Sequence, residues 1–262
     1  MSLKVIAVLG SPRRHGGGYD VVKDLEGRLK ALGDVEIEYV HLADVGLLPC
    51  KGCFTCISKG EAHCPLKDGR EGLERRMLAA DGLILVSPGY VQNVSGLYKN
   101  FMDRFAYTNH RPRFFHQSTL VVANGGAGLK HTLRALSISL GGARIVDRLS
   151  VAIPPWPINQ KMQDKNDRAI QGAARALFQD MTTKGDSPSP DFQEYMRFRF
   201  FSKVAPELKE YLPADYEFYQ GKKGFYYETH ISLGKRLAAG ILVPLGLFMA
   251  KGMAPAPKDL SK

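Results

Sequence analysis

The stretch from Leu3 to Gly18, LKVIAVLGSPRRHGGG, decides the fold. Leu3 to Leu9 is a short strand-like apolar run, and it stops at a loop rich in glycine. A glycine-rich loop between a strand and a helix presents backbone N–H groups and the positive end of the helix dipole, and the two together bind phosphate. The loop has neither Gly-x-Gly-x-x-Gly nor a Walker sequence, so a terminal monophosphate fits better than a dinucleotide or a nucleoside triphosphate. Ser11 offers a hydroxyl and Arg13 a charge-assisted hydrogen bond, with Gly16, Gly17, Gly18 and Tyr19 supplying backbone donors. An ordinary glycine-rich turn is the alternative.

Outward from this loop, strand-like runs recur at Val35 to Val40, Gly82 to Ser87, Thr119 to Asn124 and Ile145 to Ile153. Between them Val21, Val22, Leu25, Leu29 and Leu32 repeat at helical spacing, as do Leu97, Phe101 and Phe105, and Leu129, Leu133, Leu136 and Leu140. Asp68 and Glu71 read as a capping box opening a helix through Met77, Gly141-Gly142 as a helix stop, and Ile158 to Met181 as a last helix. Alternation of this kind predicts a flavodoxin-like, doubly wound α/β domain with a five-stranded parallel sheet of order 2-1-3-4-5. Residues 1–182 are assigned to that domain and 183–262 to a C-terminal helical and aromatic extension.

In that order the loop after the third strand, Ser87 to Gly96, lies beside the glycine loop at the topological switch point. Pro88, Gly89, Tyr90 and Val91 offer contact to a planar ring, and Gln92 and Asn93 hydrogen bonds to its polar edge. The fourth strand ends in Asn124, Gly125 and Gly126, where glycines permit close backbone approach. All four cysteines, Cys50, Cys53, Cys56 and Cys64, fall within the loop 49–68, so a disulfide framework is not expected. The compact spacing of the first three suits a [4Fe-4S] cluster; free or regulatory thiols and zinc are the alternatives.

The Gly-Ser-Pro-Arg loop, the Ser-Pro-x-Tyr loop and the Leu-x-Lys-Asn-Phe-x-Asp-Arg helix resemble the NADPH-dependent FMN reductases, and with the cysteines the chain resembles the iron-sulfur flavoproteins of that superfamily. The resemblance covers about residues 1 to 180. It implies FMN, with its phosphate on Ser11 to Tyr19 and its ring against Pro88 to Asn93. It also implies a homodimer or homotetramer in which cluster and flavin of different subunits approach one another. Gly16-Gly17-Gly18 stands where relatives often carry a hydroxyl residue, which implies weaker retention of FMN. The expected activity is electron transfer between NAD(P)H or ferredoxin and an acceptor, with no side chain needed as acid or base. A cluster-free FMN or quinone reductase and a non-catalytic electron carrier are the alternatives.

The net charge of +10 is spread along the chain, which argues against a nucleic-acid partner. Lys99, Arg104, Arg111 and Arg113 form a local basic group, expected as a solvated face or a landing point for NADPH phosphates or an acidic ferredoxin. The N-terminus lacks the apolar region of a signal peptide, so a cytoplasmic protein is expected. Asp186 to Pro190 reads as a linker. Residues 192–230 hold 12 of the 25 aromatic residues, expected to pack onto the α/β domain or a partner subunit, or to line a substrate entrance. Leu237 to Ala250 is uncharged but shorter than a membrane span, and reads as a packed tail or a surface-seeking segment.

Overall fold

The computed structural model describes residues 2–183, 185 and 188–249. Asp186 and Ser187 of the expected linker, and Ala250 at the end of the apolar segment, lie outside the described residues. The chain divides into two compact units, residues 1–184 and 185–262.

In the first unit β1 (Leu3–Leu9), β2 (Val35–His41), β3 (Gly82–Pro88), β4 (Ser118–Gly125) and β5 (Arg144–Ala152) pair in parallel. Their order, β2-β1-β3-β4-β5, is the flavodoxin-like one. The helices are α1 (Gly17–Leu32), α2 (Thr55–Ser58), α3 (Arg70–Leu78), α4 (Gly96–Arg104), α5 (Leu129–Ser137) and α6 (Gln160–Thr183). Successive residues of a strand face opposite sides of the sheet. Val5, Ala7 and Leu9 therefore pack with Val21, Leu25 and Leu29 of α1 and Leu177 of α6. Ile6 and Val8 pack on the other side with Met77, Tyr98, Phe101 and Leu136. Full burial of Leu25 and of Leu29 is worth about 1.5–3 kcal/mol each, which outweighs the roughly 1 kcal/mol that Gly27 costs inside that helix. The helix ends where a Cβ at Gly33 would stand 2.7 Å from the Phe178 ring.

Two local expectations are corrected. Asp68 does not open a capping box: Gly69 takes the N-cap position of α3, and the Asp68 carboxylate, which accepts the Arg70 N–H at 3.2 Å, is also drawn to Leu48 and Arg104. The helix α5 stops at Ser137, ahead of Gly141-Gly142. Gly141 is demanded by packing, since a Cβ there would lie 1.7 Å from the Thr108 carbonyl oxygen.

The second unit contains α7 (Phe192–Glu207), α8 (Pro213–Tyr219) and α9 (Leu233–Met249). A capping box starts α7, with Asp191 accepting from the Glu194 N–H and Glu194 accepting from the Asp191 N–H. Most of the aromatic residues of this unit pack on one another, while Phe192 and Tyr211 are exposed. Tyr195, Phe198, Tyr219 and Phe225 are buried in one cluster, with Phe198 5.0 Å from Tyr226 and 5.6 Å from Phe225 between ring centres. Edge-to-face geometry recurs, as aromatic quadrupoles favour.

Candidate functional site

The carboxyl ends of β1, β3 and β4 adjoin where the strand order reverses. Behind β1, the extended N-cap residue Gly16 contributes no side chain to cap α1, so the first-turn N–H groups have no side-chain acceptor there. Ser11 is buried and its Oγ accepts the Arg13 N–H at 3.1 Å, which shapes the loop. Arg13 is exposed and reaches back toward Gly16, where a Cβ would stand 3.7 Å from its Nε. Tyr19 packs beside His15, with 4.9 Å between ring centres.

Gly10 joins this loop to the next. Its N–H donates to the Val86 carbonyl at 2.8 Å, its carbonyl accepts from Ser95 Oγ, and a Cβ would lie 2.8 Å from Tyr98 Cβ. Ser95 also caps α4, accepting the Tyr98 N–H at 3.1 Å, while its own N–H donates to Ser87 Oγ at 2.9 Å. After Pro88 and Gly89 the chain reverses through Tyr90-Val91-Gln92-Asn93, with Tyr90 and Asn93 exchanging backbone hydrogen bonds of 2.9 Å. Val91 and Gln92 both have positive φ, 49° and 58°, as in a type I′ turn. Left-handed backbone is unfavourable for a β-branched residue, and Val91 is 99% exposed at the tip.

The third loop closes against the second. The Gly89 N–H donates to the Asn124 carbonyl at 2.9 Å, and a Cβ at Gly128 would meet Gln92 Cγ at 2.9 Å. The Asn124 side chain points at the start of α1, so that a Cβ at Gly18 would stand 3.0 Å from its Oδ1 and one at Gly17 3.4 Å from its Nδ2. Asn124 Oδ1 and Thr132 Oγ1 are buried without hydrogen-bond partners, a costly condition that a polar ligand relieves. Ser11 to Tyr19, Pro88 to Asn93 and Asn124 to Gly126 thus come together. A separate cavity of about 440 Å³, lined by Asp20, Asp24, Ile153, Trp156 and Asn166 among others, holds none of them.

Between β2 and α3, Cys50, Cys53, Cys56 and Cys64 line one small pocket with Phe54 and Arg104. The turn through them uses left-handed backbone at Gly52 and Phe54. Burial pushes the Cys56 thiol up, and the charges of Cys64, Cys50 and Cys53 push it further, as expected of sulfurs gathered at short range. Hydrogen bonds from Thr55 lower Cys53. Among the described residues no three His, Cys, Asp or Glu side chains converge as the ligands of a single metal ion do.

The helix α4 grips this loop. Asn100 accepts the Cys50 N–H at 3.0 Å and donates to the Leu47 and Leu48 carbonyls at 3.2 and 3.3 Å. One turn on, Arg104 donates to the Leu48 carbonyl at 2.9 Å, pairs with Asp68 through both nitrogens, and brings Nη2 to 4.0 Å from Cys64 Sγ. Arg111 donates to the carbonyls of Ile57 and Cys56. Arg113 bridges Glu61 and Glu74 at 2.5 and 3.0 Å, and Glu74 also holds Arg70 at 2.9 Å. The basic group is therefore no solvated face: Arg104 and Arg111 are each 3% exposed and bound to the cysteine loop, and only Lys99, paired with Asp103, is exposed. Sequence reasoning missed the joining roles of Ser95 and Asn100, although Ser95 before α4 carried an N-cap signal and Asn100 and Arg104 the i, i+4 spacing of one helix face. Nothing in the sequence marked Thr132.

The sequence family described as NADPH-dependent FMN reductase matches residues 3–157, which span the sheet and all three loops. The chain belongs to that family. An iron-sulfur flavoprotein of Archaeoglobus fulgidus is 38% identical over 112 residues, 42% of this chain and 49% of that protein. An iron-sulfur flavoprotein of Methanocaldococcus jannaschii is 40% identical over 102 residues, 39% of this chain and 51% of that protein. The chain spans about half the length of these curated relatives. An NAD(P)H:quinone oxidoreductase from Methanothermobacter marburgensis superposes on 67% of this chain and 98% of its own, with a TM-score of 0.53 and 18% identity, a likeness of fold. For a member of the FMN reductase family, the uncapped helix start, the glycines that bring backbone close, and the unsatisfied Asn124 and Thr132 oxygens fit a flavin mononucleotide.

Proposed function

We propose that the protein is an FMN-dependent oxidoreductase of the iron-sulfur flavoprotein type, passing electrons between NAD(P)H or ferredoxin and an acceptor. The observation that carries this reading is α4. Its start, at Ser95, fastens the Pro88–Asn93 loop to Gly10, and its Asn100 and Arg104 fasten the cysteine loop, so one rigid element links both candidate redox sites. When bound, FMN supplies hydride and single-electron exchange, and a [4Fe-4S] cluster supplies one-electron transfer.

The residues' own work is binding and orientation. The N–H groups of Gly16 to Tyr19, the Ser11 hydroxyl and Arg13 hold the terminal phosphate, with the dipole of α1 behind them. Pro88 to Asn93 and Asn124 to Gly126 hold the ring and its polar edge. Cys50, Cys53, Cys56 and Cys64 would hold the cluster, with the Arg104 guanidinium 4.0 Å from Cys64 Sγ. Hydride transfer to a flavin requires no acid or base from the chain, so no conventional catalytic side chain is assigned.

Anaerobic purification followed by measurement of iron, sulfide, zinc and flavin tests this reading, with one cluster and one FMN expected for each chain. A flavin spectrum without iron in that material would overturn the cluster. Bleaching of the bound flavin in stopped flow by NADH, NADPH or reduced ferredoxin identifies the donor, and negligible oxidation of NADH and NADPH would favour a non-catalytic electron carrier. The second reading is a cluster-free FMN or quinone reductase, in which the four cysteines serve as redox-active thiols.

A further inference from the structure

The helix α9 is built inside out for a helix at a water-facing surface. Its buried residues are small, Ala239 at 0% and Val243 at 4% exposure, whereas Leu233, Leu237, Ile241 and Leu245 are 53–71% exposed. Positions four apart lie on one face of a helix, so these four make a continuous apolar stripe opposite the buried alanine and valine. Lys235 and Arg236 fall on the two flanks of that stripe. From Ile231 to Lys258 the sequence has four basic residues, Lys235, Arg236, Lys251 and Lys258, and no acidic one.

No helix among the described residues is long and apolar enough to cross a membrane. At 17 residues, α9 is only about 26 Å long at 1.5 Å per residue, short of a hydrocarbon core of about 30 Å. An apolar stripe bordered by cations, with polar groups kept at the same depth, suits a helix lying in the plane of a bilayer surface. A second copy of the chain related by two-fold symmetry suits it less, because an isologous contact presents the same cations without an acidic partner.

We propose that α9 lies in the interface of an anionic lipid bilayer, with Leu233, Leu237, Ile241 and Leu245 in the acyl boundary and Lys235 and Arg236 at the headgroups. The contact is independent of the redox assignment. It places an oxidoreductase where lipid-soluble acceptors are concentrated.

Flotation of the full-length protein tests this, using vesicles of phosphatidylcholine alone and of phosphatidylcholine mixed with phosphatidylglycerol. The floated fraction is expected to be about tenfold larger on the anionic vesicles and to fall as salt rises. Leu237→Asp with Ile241→Asp replaces two exposed side chains, so flavin content and melting temperature should stay unchanged while flotation is lost. Failure of the wild type to float, equal flotation on both vesicle types, or undiminished flotation of the double variant would each overturn the proposal. So would a wild type that stays at the bottom of the gradient and whose mass halves in the double variant, since the stripe would then be an interface between copies. A flavin-free or iron-free preparation that still floats separates this question from the cofactor assignment.

Discussion

The glycine loop and the cysteine loop are neighbours through α4, yet they are made in opposite ways. The first is a backbone site: Gly10, Gly16, Gly17 and Gly18 bring peptide groups into place, and the shape is held by peptide hydrogen bonds and two serines, Ser11 and Ser95. The second is a side-chain site: the loop has little regular structure of its own, and Asn100, Arg104 and Arg111 hold its carbonyls and N–H groups from outside. A backbone site is broken by adding atoms, and a side-chain site by removing them.

The largest expected effect follows from removal. Arg104→Leu leaves the Asp68 carboxylate, with 5% side-chain exposure, with its backbone N–H donors but no cation, and stranding a buried charge costs about 3–5 kcal/mol. Chemical denaturation should show a loss of that order, with the cysteines becoming more reactive to a thiol reagent. Unchanged stability would show that the arginine does not hold the loop. Gly10→Ala tests the opposite failure. A Cβ there must displace the fully buried Tyr98, an overpacking cost of about 1–3 kcal/mol, and flavin retention should fall with the cysteine loop left intact. Iron lost together with flavin would mean that the two sites are not separable.

Arg13→Ala should weaken FMN about tenfold, near the lower end of a charge-assisted hydrogen bond, as read by flavin retained after dialysis. Undiminished retention would move the phosphate elsewhere. The smallest effect concerns Glu26, which braces α1 against β2. Burial opposes its ionisation, but hydrogen bonds from Lys23, Lys30 and Tyr39 outweigh burial and hold the carboxyl at about 2. A depressed carboxyl stabilises the fold above its ordinary value near 4.5, and that contribution is lost as pH falls toward 2. Glu26→Gln should flatten this part of the acid unfolding curve measured by circular dichroism.

The glycine loop, Pro88 to Asn93 and Asn124 to Gly126 were legible because strand ends in a parallel sheet carry their loops to one edge, and apolar runs reveal strand ends. The cysteines were legible through spacing alone. Arg104 and Arg111 were not, because a charged residue in a sequence reads as solvated unless its partners are known, and those partners lie between 36 and 56 residues away. The aromatic run after Phe192 announced burial without saying against what; only folding showed that the rings bury one another.

By itself, then, the sequence determined the parallel α/β architecture, its crevice and the grouping of the four cysteines, because periodicity and spacing are local properties of a chain. The tertiary structure alone decided that one helix fastens both loops, that the arginines are buried, and that α9 turns its leucines outward. Those facts depend on which distant groups meet, and desolvation and packing set that only when the whole chain has folded.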